Sequence, residues 1–451
     1  MMKSFYRAAQ TATILLIFIN GHISQKSYKQ LKFNSNGKFR IVQLTDTHMG
    51  ETDERDINTQ KVIRQVLQSE QPDLVVMTGD IVSGNVWDGN QGWFASIYQR
   101  IVDVMNEFNV HWASTAGNHD NEGDLSRKQI SELDQAYALS LTRPNAAPFT
   151  EAFNYMIPIY DKEGQNIVTR MWFIDSGDNS GCLGKIGYDC IKDDQINWFR
   201  QANNDIPESD PSKGRGFMFM HIPLNEYMNL INEEITAGVK GEDVCCGAYN
   251  TGMFSAIKEQ KTIEWVSSGH DHNNDYYGSY QGIYLGYGRK TGYGSYGPEG
   301  MLKGARIFEI TENPYTIETW IRQEDGTKMV QNFPQFKPID QYVQLQCCGK
   351  DAVSQFYSYK YTLVVSAILM LYIVERCFQT YKRKKAQRAL QNQEHTDLDT
   401  AGKDAQSKSI KIDEDNDQTE HLLKKEYQQN DYSNEEDEQL DYQEESKTLK
   451  D

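Results

Sequence analysis

Residues 73–78, Asp-Leu-Val-Val-Met-Thr, form an almost unbroken apolar run that stops at Gly79-Asp80. A strand buried on both faces needs a run of this kind, and few other elements do. The pattern recurs along the chain. Residues 39–44 run into Asp46, residues 110–113 lead to Asn118-His119, residues 217–220 end at His221, and residues 263–266 end at Gly269-His270-Asp271-His272. Between the first of these runs, residues 53–69 set Ile57, Val62, Ile63, Val66 and Leu67 near helical spacing, Pro72 breaks the pattern, and residues 97–108 read as a second helix. Strand, helix, strand in alternation predicts an α/β (α+β) fold whose sheets are built partly of parallel strands. In such sheets binding crevices open beyond the strand C-termini, where loops splay from a rigid base. The polar residues named above all fall there.

Further along, residues 126–140 read as a surface helix, residues 143–148 as a loop, and residues 168–174 as a strand ending in a turn that contains Asp175 and Asp178. The Tyr- and Gly-rich stretch 276–297 reads as hairpins and loops. Residues 305–310 and 315–321 would close the second sheet.

A chain of 451 residues accommodates one large domain with appendages, here residues 38–323 followed by a juxtamembrane segment at 324–355. The formal net charge of -18 argues against a nucleic-acid backbone as partner. Residues 1–24 have the shape of a signal peptide: Lys3 and Arg7, a short apolar run over 12–19, then polar residues. Residues 361–374 carry no charge and are flanked by Phe356, Tyr357, Tyr359 and Lys360 before and by Phe378, Tyr381 and Lys382-Arg383-Lys384-Lys385 after. Those flanks predict a single-pass type I membrane anchor over 356–378, with the catalytic domain lumenal or extracellular and the tail cytosolic. The tail, 379–451, is acidic and poor in large apolar residues, which predicts disorder.

Six cysteines precede the anchor and Cys377 lies at its cytosolic end. In an oxidising lumen the six are expected to pair, Cys182 with Cys190 first; the remaining pairings stay open. Cys377 reads as a free thiol or a palmitoylation site. No Asn-x-Ser/Thr sequon accompanies them.

Five of the nine histidines (His48, His119, His221, His270 and His272) stand just after predicted strands, in turns that contain Gly or Asp. Asp46 and His48 are two apart, so on an extended backbone both side chains project from one face, and the same holds for His270 and His272. Three oxygen donors (Asp46, Asp80, Asn118) and four imidazoles (His48, His221, His270, His272) make a mixed set that suits Fe, Zn or Mn better than Ca. Two ions about 3.5–4 Å apart need a shared carboxylate, and Asp80 is the candidate bridge.

These blocks also resemble a known family. Asp46-x-His48-x-Gly50, Gly79-Asp80, Gly117-Asn118-His119-Asp120, His221 and Gly269-His270-x-His272 are similar, in order and composition, to the motifs of the calcineurin-like metallophosphoesterases. The segments around His221 and Asp175 resemble the purple acid phosphatase 29-like branch. The resemblance implies a four-layer αββα sandwich of two mixed sheets. It also implies that one metal is held by Asp46, His48, Asp80 and His272, and a second by Asp80, Asn118, His221 and His270. His119 is then free to meet a phosphoester substrate as general acid. Ser83 stands where purple acid phosphatases carry a tyrosine ligand.

The expected activity is a membrane-anchored phosphomonoesterase with a dinuclear metal centre and a metal-bridging hydroxide as nucleophile. The alternatives are a phosphodiesterase acting on nucleotides or lipid headgroups, and a catalytically silent receptor ectodomain. Arg289 and Lys290 read as the cations of a solvated turn in preference to a phosphate clamp. His111 reads as structural.

Overall fold

The computed structural model describes residues 26–149, 151–233, 237–298, 300–332, 334–336, 343–348 and 366–388. They fall into two compact units, one up to Tyr357 and one from Ser358 onward. In chain order the first unit contains β1 (Leu31–Lys32), β2 (Lys38–Leu44), α1 (Asp53–Glu70), β3 (Leu74–Thr78), α2 (Trp93–Glu107), β4 (Trp112–Thr115), α3 (Arg127–Ala136), β5 (Tyr155–Tyr160), β6 (Ile167–Phe173), α4 (Asp193–Asn204), β7 (Gly216–Phe219), α5 (Glu226–Glu233), β8 (Gly238–Lys240), α6 (Met253–Gln260), β9 (Ile263–Ser268), β10 (Tyr277–Tyr280), β11 (Ile283–Tyr287), β12 (Gly304–Thr311), β13 (Thr316–Gln323), β14 (Lys328–Met329) and β15 (Pro334–Phe336).

Two mixed sheets carry the fold. One has the order β1-β5-β6-β7-β9-β11-β10 and the other β14-β13-β12-β2-β3-β4; β15 and β8 form a separate pair. The strands that point toward the site are parallel to their neighbours: β2 with β3, β3 with β4, and β7 with β9. The sheets face each other through aromatic side chains. Phe308 on β12 meets Phe217 and Phe219 on β7 and Trp265 on β9, at ring separations of 5.5, 6.4 and 5.1 Å. Edge-to-face geometry of this kind adds to what apolar burial alone supplies.

Helices α1 and α2 cover the six-stranded sheet, burying Val62, Ile63, Val66, Leu67, Ile101 and Met105. The first starts where Thr52 caps it, accepting from Arg55 N at 3.2 Å, and Asp53, Glu54 and Asp56 occupy its electropositive first turn. On the outer side of the other sheet, Phe199 of α4 and Met253 and Ile257 of α6 pack into a second cluster with Trp172 and Met218. The result is helix, sheet, sheet, helix.

Several expectations shift. The helix at 127–136 is not a pure surface element, because Asp134 is buried and accepts from Tyr98 Oη (2.9 Å), Trp112 Nε1 (2.6 Å) and Ser114 Oγ (2.9 Å). Strands β12 and β13, expected to close the second sheet, belong to the sheet that also holds β2, β3 and β4, since β12 pairs antiparallel with β2. Strands on either side of residues 38–323 also join in: β1 pairs with β5, and β14 with β13. Three disulfides form, Cys182–Cys190 as expected, and Cys245–Cys348 with Cys246–Cys347 over separations of 103 and 101 residues. A cross-link closing about 100 residues removes roughly 4–5 kcal/mol of unfolded-chain entropy, and the second bond over nearly the same loop adds far less.

In the second unit residues 366–388 are helical, and Cys377 is an exposed free thiol. Residues 356–365 of the expected anchor, like the signal at 1–24 and the tail beyond 388, lie outside the described residues. Among the described residues no helix is long and apolar enough to cross a membrane. Residues 379–388, assigned to a disordered tail by composition, continue the helix.

Truncating Phe308 removes a ring that touches three rings of the opposite sheet. Phe308→Ala is expected to cost about 3–5 kcal/mol, read as a lower urea midpoint with an unchanged slope.

Candidate metal centre

All five ligand-bearing turns leave the C-terminal ends of strands at one edge of the two sheets. Asp46 and Asp80 stand two residues beyond β2 and β3, Asn118 three beyond β4, and His221 and His270 two beyond β7 and β9. The sheets are tied together beneath them. Gln43 on β2 donates from Nε2 to Ser268 O at 3.2 Å and accepts at Oε1 from Ser267 Oγ at 2.6 Å, and His221 Nδ1 reaches Thr78 O at 2.7 Å.

The turns are backbone-strained. Asp46, His48, Asp80 and His270 have φ of 53°, 46°, 49° and 79°, in the left-handed region that non-glycine residues rarely occupy. Asp46 and His48 therefore do not converge by alternation along an extended strand; β2 has ended at Leu44, and a left-handed loop turns both side chains inward. His270 and His272 do not meet: His272 joins Asp46, His48 and Asp80, while His270 turns to Asp80 and His221. Gly117 passes so close to the Asp80 carboxylate that any Cβ there would collide with Asp80 Oδ1.

The ligand atoms gather into two sets that share Asp80: Asp46, His48, Asp80 and His272, and Asp80, His221 and His270. Asn118 joins the second set, with Oδ1 3.0 Å from His221 Nε2. All seven of these residues are essentially buried, whereas His119 beside them is about a third exposed (32%).

The hydrogen bonds fix which ring nitrogen carries the proton. His221 Nδ1 and His272 Nδ1 face the carbonyls of Thr78 (2.7 Å) and Tyr296 (2.9 Å), which only accept. His48 Nδ1 faces Ser83 Oγ at 2.9 Å, whose own proton goes to Glu51 Oε1 at 3.0 Å. Each Nδ1 is thus an N–H, which leaves the Nε2 atoms of the neutral His48 and His272 rings bare. Yet His48 Nε2 and His272 Nε2 lie 3.1 Å apart, His48 Nε2 lies 3.5 Å from Asp80 Oδ2, and His272 Nε2 lies 3.4 Å from Asp46 Oδ1. His270 Nε2 is buried without a hydrogen-bond partner. Lone pairs facing lone pairs at these distances are repulsive unless a cation sits among them. The residues fit a pair of metal ions, and their outer nitrogens are held as metal-ligating imidazoles usually are.

Electrostatics lead the same way. Burial pushes the Asp80 carboxyl up, but His221, His48 and His119 hold it well below the usual carboxylate range; Asp46 is likewise held low, chiefly by His272, against its burial. Burial depresses His48 and brings His270 down to about 3. His221 alone among the ligand imidazoles rises, to about 9, because Asp80 outweighs its burial. A proton can answer the charge at His221; burial leaves the His48 and His272 pair neutral and in need of something else.

Asp120, whose part sequence reasoning missed, holds the bridge in place. Its Oδ2 accepts from Asp80 N (2.9 Å) and Gly117 N (2.7 Å), and its Oδ1 from Ile81 N (2.9 Å) and Val82 N (3.0 Å). Arg127 adds bonds to the carbonyls of Gly117 and Ala116 and pairs with buried Asp175. Asp175 is therefore an ion-pair residue as well as a turn residue, while Asp178 bonds Asn121 Nδ2 at 3.0 Å. Arg289 and Lys290 are buried, not solvated, and Arg289 is committed to Asp275. Lys290 Nζ donates to Asp46 O at 3.1 Å, and burial lowers its pKa to about 7. His111 is structural in its contacts, its Nδ1 3.0 Å from Leu139 O. Ser83 is a partner of His48, one bond removed from any metal position.

Whichever way the amide turns, Asp120→Asn would set an NH2 group against two backbone N–H donors. We expect a loss of about 2–4 kcal/mol in stability together with weaker binding of both ions, measured by urea unfolding and by metal titration.

The sequence pattern of the calcineurin-like phosphoesterases matches residues 39–274. Over 336 residues the chain is 30% identical to a protein of Arabidopsis thaliana named probable inactive purple acid phosphatase 29, covering 66% of this chain and 85% of that one. It is 30% identical over 364 residues to phosphatase DCR2 of Saccharomyces cerevisiae, covering 73% of this chain and 61% of that one. Among solved structures, a dimetal phosphatase from Danio rerio aligns with a TM-score of 0.43 at 11% identity, over 65% of this chain and 99% of that one. With a match that spans more than half of its length and includes every strand-end turn of the site, this chain belongs to the calcineurin-like phosphoesterase family.

Proposed function

We propose that the chain is a two-metal phosphomonoesterase in which His119 acts as general acid. The observation that carries this reading is the buried convergence of acceptor-only atoms, with the His48 and His272 Nε2 atoms 3.1 Å apart. Asp46, His48, Asp80 and His272 would hold one ion of Fe, Zn or Mn, and Asp80, Asn118, His221 and His270 the other. When bound, such a pair supplies a hydroxide near neutral pH and neutralises charge on the phosphoryl oxygens.

The chain's own residues do the rest. Asp80 is fixed for bridging because one of its oxygens, Oδ1, accepts from His119 N at 2.8 Å while Oδ2 faces both His48 and His221. His119 stands at the edge of the centre, its ring 5.5 Å from that of His48, and is open to solvent on one side. Its Nδ1 pairs with Glu122 Oε2 at 2.6 Å, so the protonated ring keeps Nε2–H for an oxygen leaving from phosphorus. Burial would lower its pKa, but Asp80 and Glu122 hold it above the ordinary histidine value, which suits an acid.

Several relatives are named inactive, and that describes those proteins. In this chain the full ligand set and a proton donor are present together, which favours an enzyme over a silent ectodomain. Membrane attachment belongs to the same reading. Its support is the uncharged stretch 361–374 with its aromatic and basic flanks, and the exposure of Ile368, Leu369, Leu371 and Val374 on the helix at 366–388.

His119→Asn, in protein shown to hold two ions by elemental analysis, is expected to slow alkyl phosphate hydrolysis by about 10² to 10⁴. A nitrophenyl phosphate, whose phenolate leaves without a proton, should be much less affected. Equal slowing of the chemical step on both substrates would make His119 an electrostatic stabiliser instead. For the membrane arm, protease added to sealed vesicles should remove the tail beyond residue 388 and spare the catalytic domain; the reverse pattern would invert the topology.

A further inference from the structure

Glu51 follows Gly50, at the end of the turn that carries Asp46 and His48, and sequence analysis assigns it nothing. Its side chain is nevertheless mostly buried, at 15% exposure. One oxygen, Oε1, accepts two hydrogen bonds that lead to different histidines. The first comes from Ser83 Oγ at 3.0 Å, and Ser83 Oγ in turn accepts from His48 Nδ1 at 2.9 Å. The second comes from Ser295 N at 2.6 Å, and the next residue, Tyr296, presents its carbonyl to His272 Nδ1 at 2.9 Å. Tyr296 also stacks its ring on that of His272, with centroids 4.1 Å apart and planes 25° apart.

We infer that Glu51 is a positioning residue that orients both imidazoles of one metal position, His48 through Ser83 and His272 through the 295–296 backbone. The inference rests on the two-metal reading of the site.

The surroundings make the clamp stiff. Arg55, one helical turn on, pairs with Oε2 and leaves Oε1 for the two loops. Gly50 N donates to both oxygens of Asp56, at 2.9 and 3.1 Å, which anchors the peptide from which Glu51 projects. Ser295 adopts φ of 58°, a conformation that needs outside support, and the bond from its N–H to Glu51 provides it. The loop also lies directly on the ligand turn: Gly292 N donates to Asp46 O at 3.3 Å, and a Cβ at Gly294 would collide with His48 O. A shift of the 295–296 segment would therefore move His272 away from His48. At the other metal position His221 is held by a different acceptor, Thr78 O.

Metal-free full-length protein titrated with Zn²⁺ gives the test. Wild type is expected to bind two ions, and failure to do so would count against the two-metal reading, leaving Glu51 out of account. Given two ions in wild type, Glu51→Ala should weaken one by about 10- to 100-fold and leave the other unchanged. Ser83→Ala, which cuts only the His48 arm, should weaken the same ion by less. Glu51→Gln keeps an acceptor oxygen at the junction and should restore binding to near the wild-type value. Two ions bound by Glu51→Ala with wild-type affinities would overturn the inference. So would equal weakening of both ions with a lowered melting temperature of the metal-free protein, because that pattern belongs to a general structural role.

Discussion

Four backbone N–H groups from two neighbouring turns converge on the carboxylate of Asp120, and the geometry of the centre follows from that convergence. Hydrogen bonds to an ionised acceptor are stronger than neutral ones, and in a buried place they are strengthened further. They hold the turn after β3 against the turn after β4, with Gly117 in contact with Asp80. This contact leaves Asp80 at φ of 49° with one oxygen on His119 N and the other open to two imidazoles. Burial and the charge on Asp80 push the Asp120 carboxyl upward, and the N–H groups of Val82 and Gly117 oppose them. A residue outside both candidate ligand sets thus fixes the position of Asp80, the residue they share.

The sheets solve a second problem, which is how to bury several carboxylates and imidazoles without collapse or repulsion. Isolated buried charge is expensive, and unpaired buried polar atoms nearly as much so. Here the outer nitrogens of His48, His221 and His272 are satisfied by the protein, and the inward-facing Nε2 atoms of His48 and His272 are left facing each other. The aromatic packing between Phe308 and the opposite sheet keeps the strand ends from spreading, so that the left-over atoms stay together. Lys290, lodged against the Asp46 carbonyl, brings one more positive group toward the same buried charge.

Much of this was readable from residue order because a doubly buried strand needs a run of apolar residues, and such a run ends visibly. Residues 74–78 and 263–268 announce themselves in that way, and the donors follow within three positions. Strand β5 escaped notice because Pro158 lies inside it and its side chains alternate between buried and partly exposed, which weakens the apolar signal. Arg289 and Lys290 looked solvated because glycines surround them; the glycines are there so that the loop can lie on the 45–48 backbone, which buries both cations. No local pattern could reveal the role of Glu51, whose two serine partners stand 32 and 244 residues away. Asp120 was visible as part of a motif, but three of its four donors, at Asp80, Ile81 and Val82, come from positions that only the tertiary fold brings to it.

The paired disulfides give the first unit an unusual kind of continuity. Cys245 and Cys246 are bonded to Cys348 and Cys347, so everything between them is a closed covalent ring. That ring contains His270, His272, Lys290 and the 295–296 loop. A protease that nicked the exposed turn near Gly300 would therefore release nothing. Both pieces would stay joined, and whatever follows residue 348 would still be attached to the domain until a reductant reached both sulfur bridges.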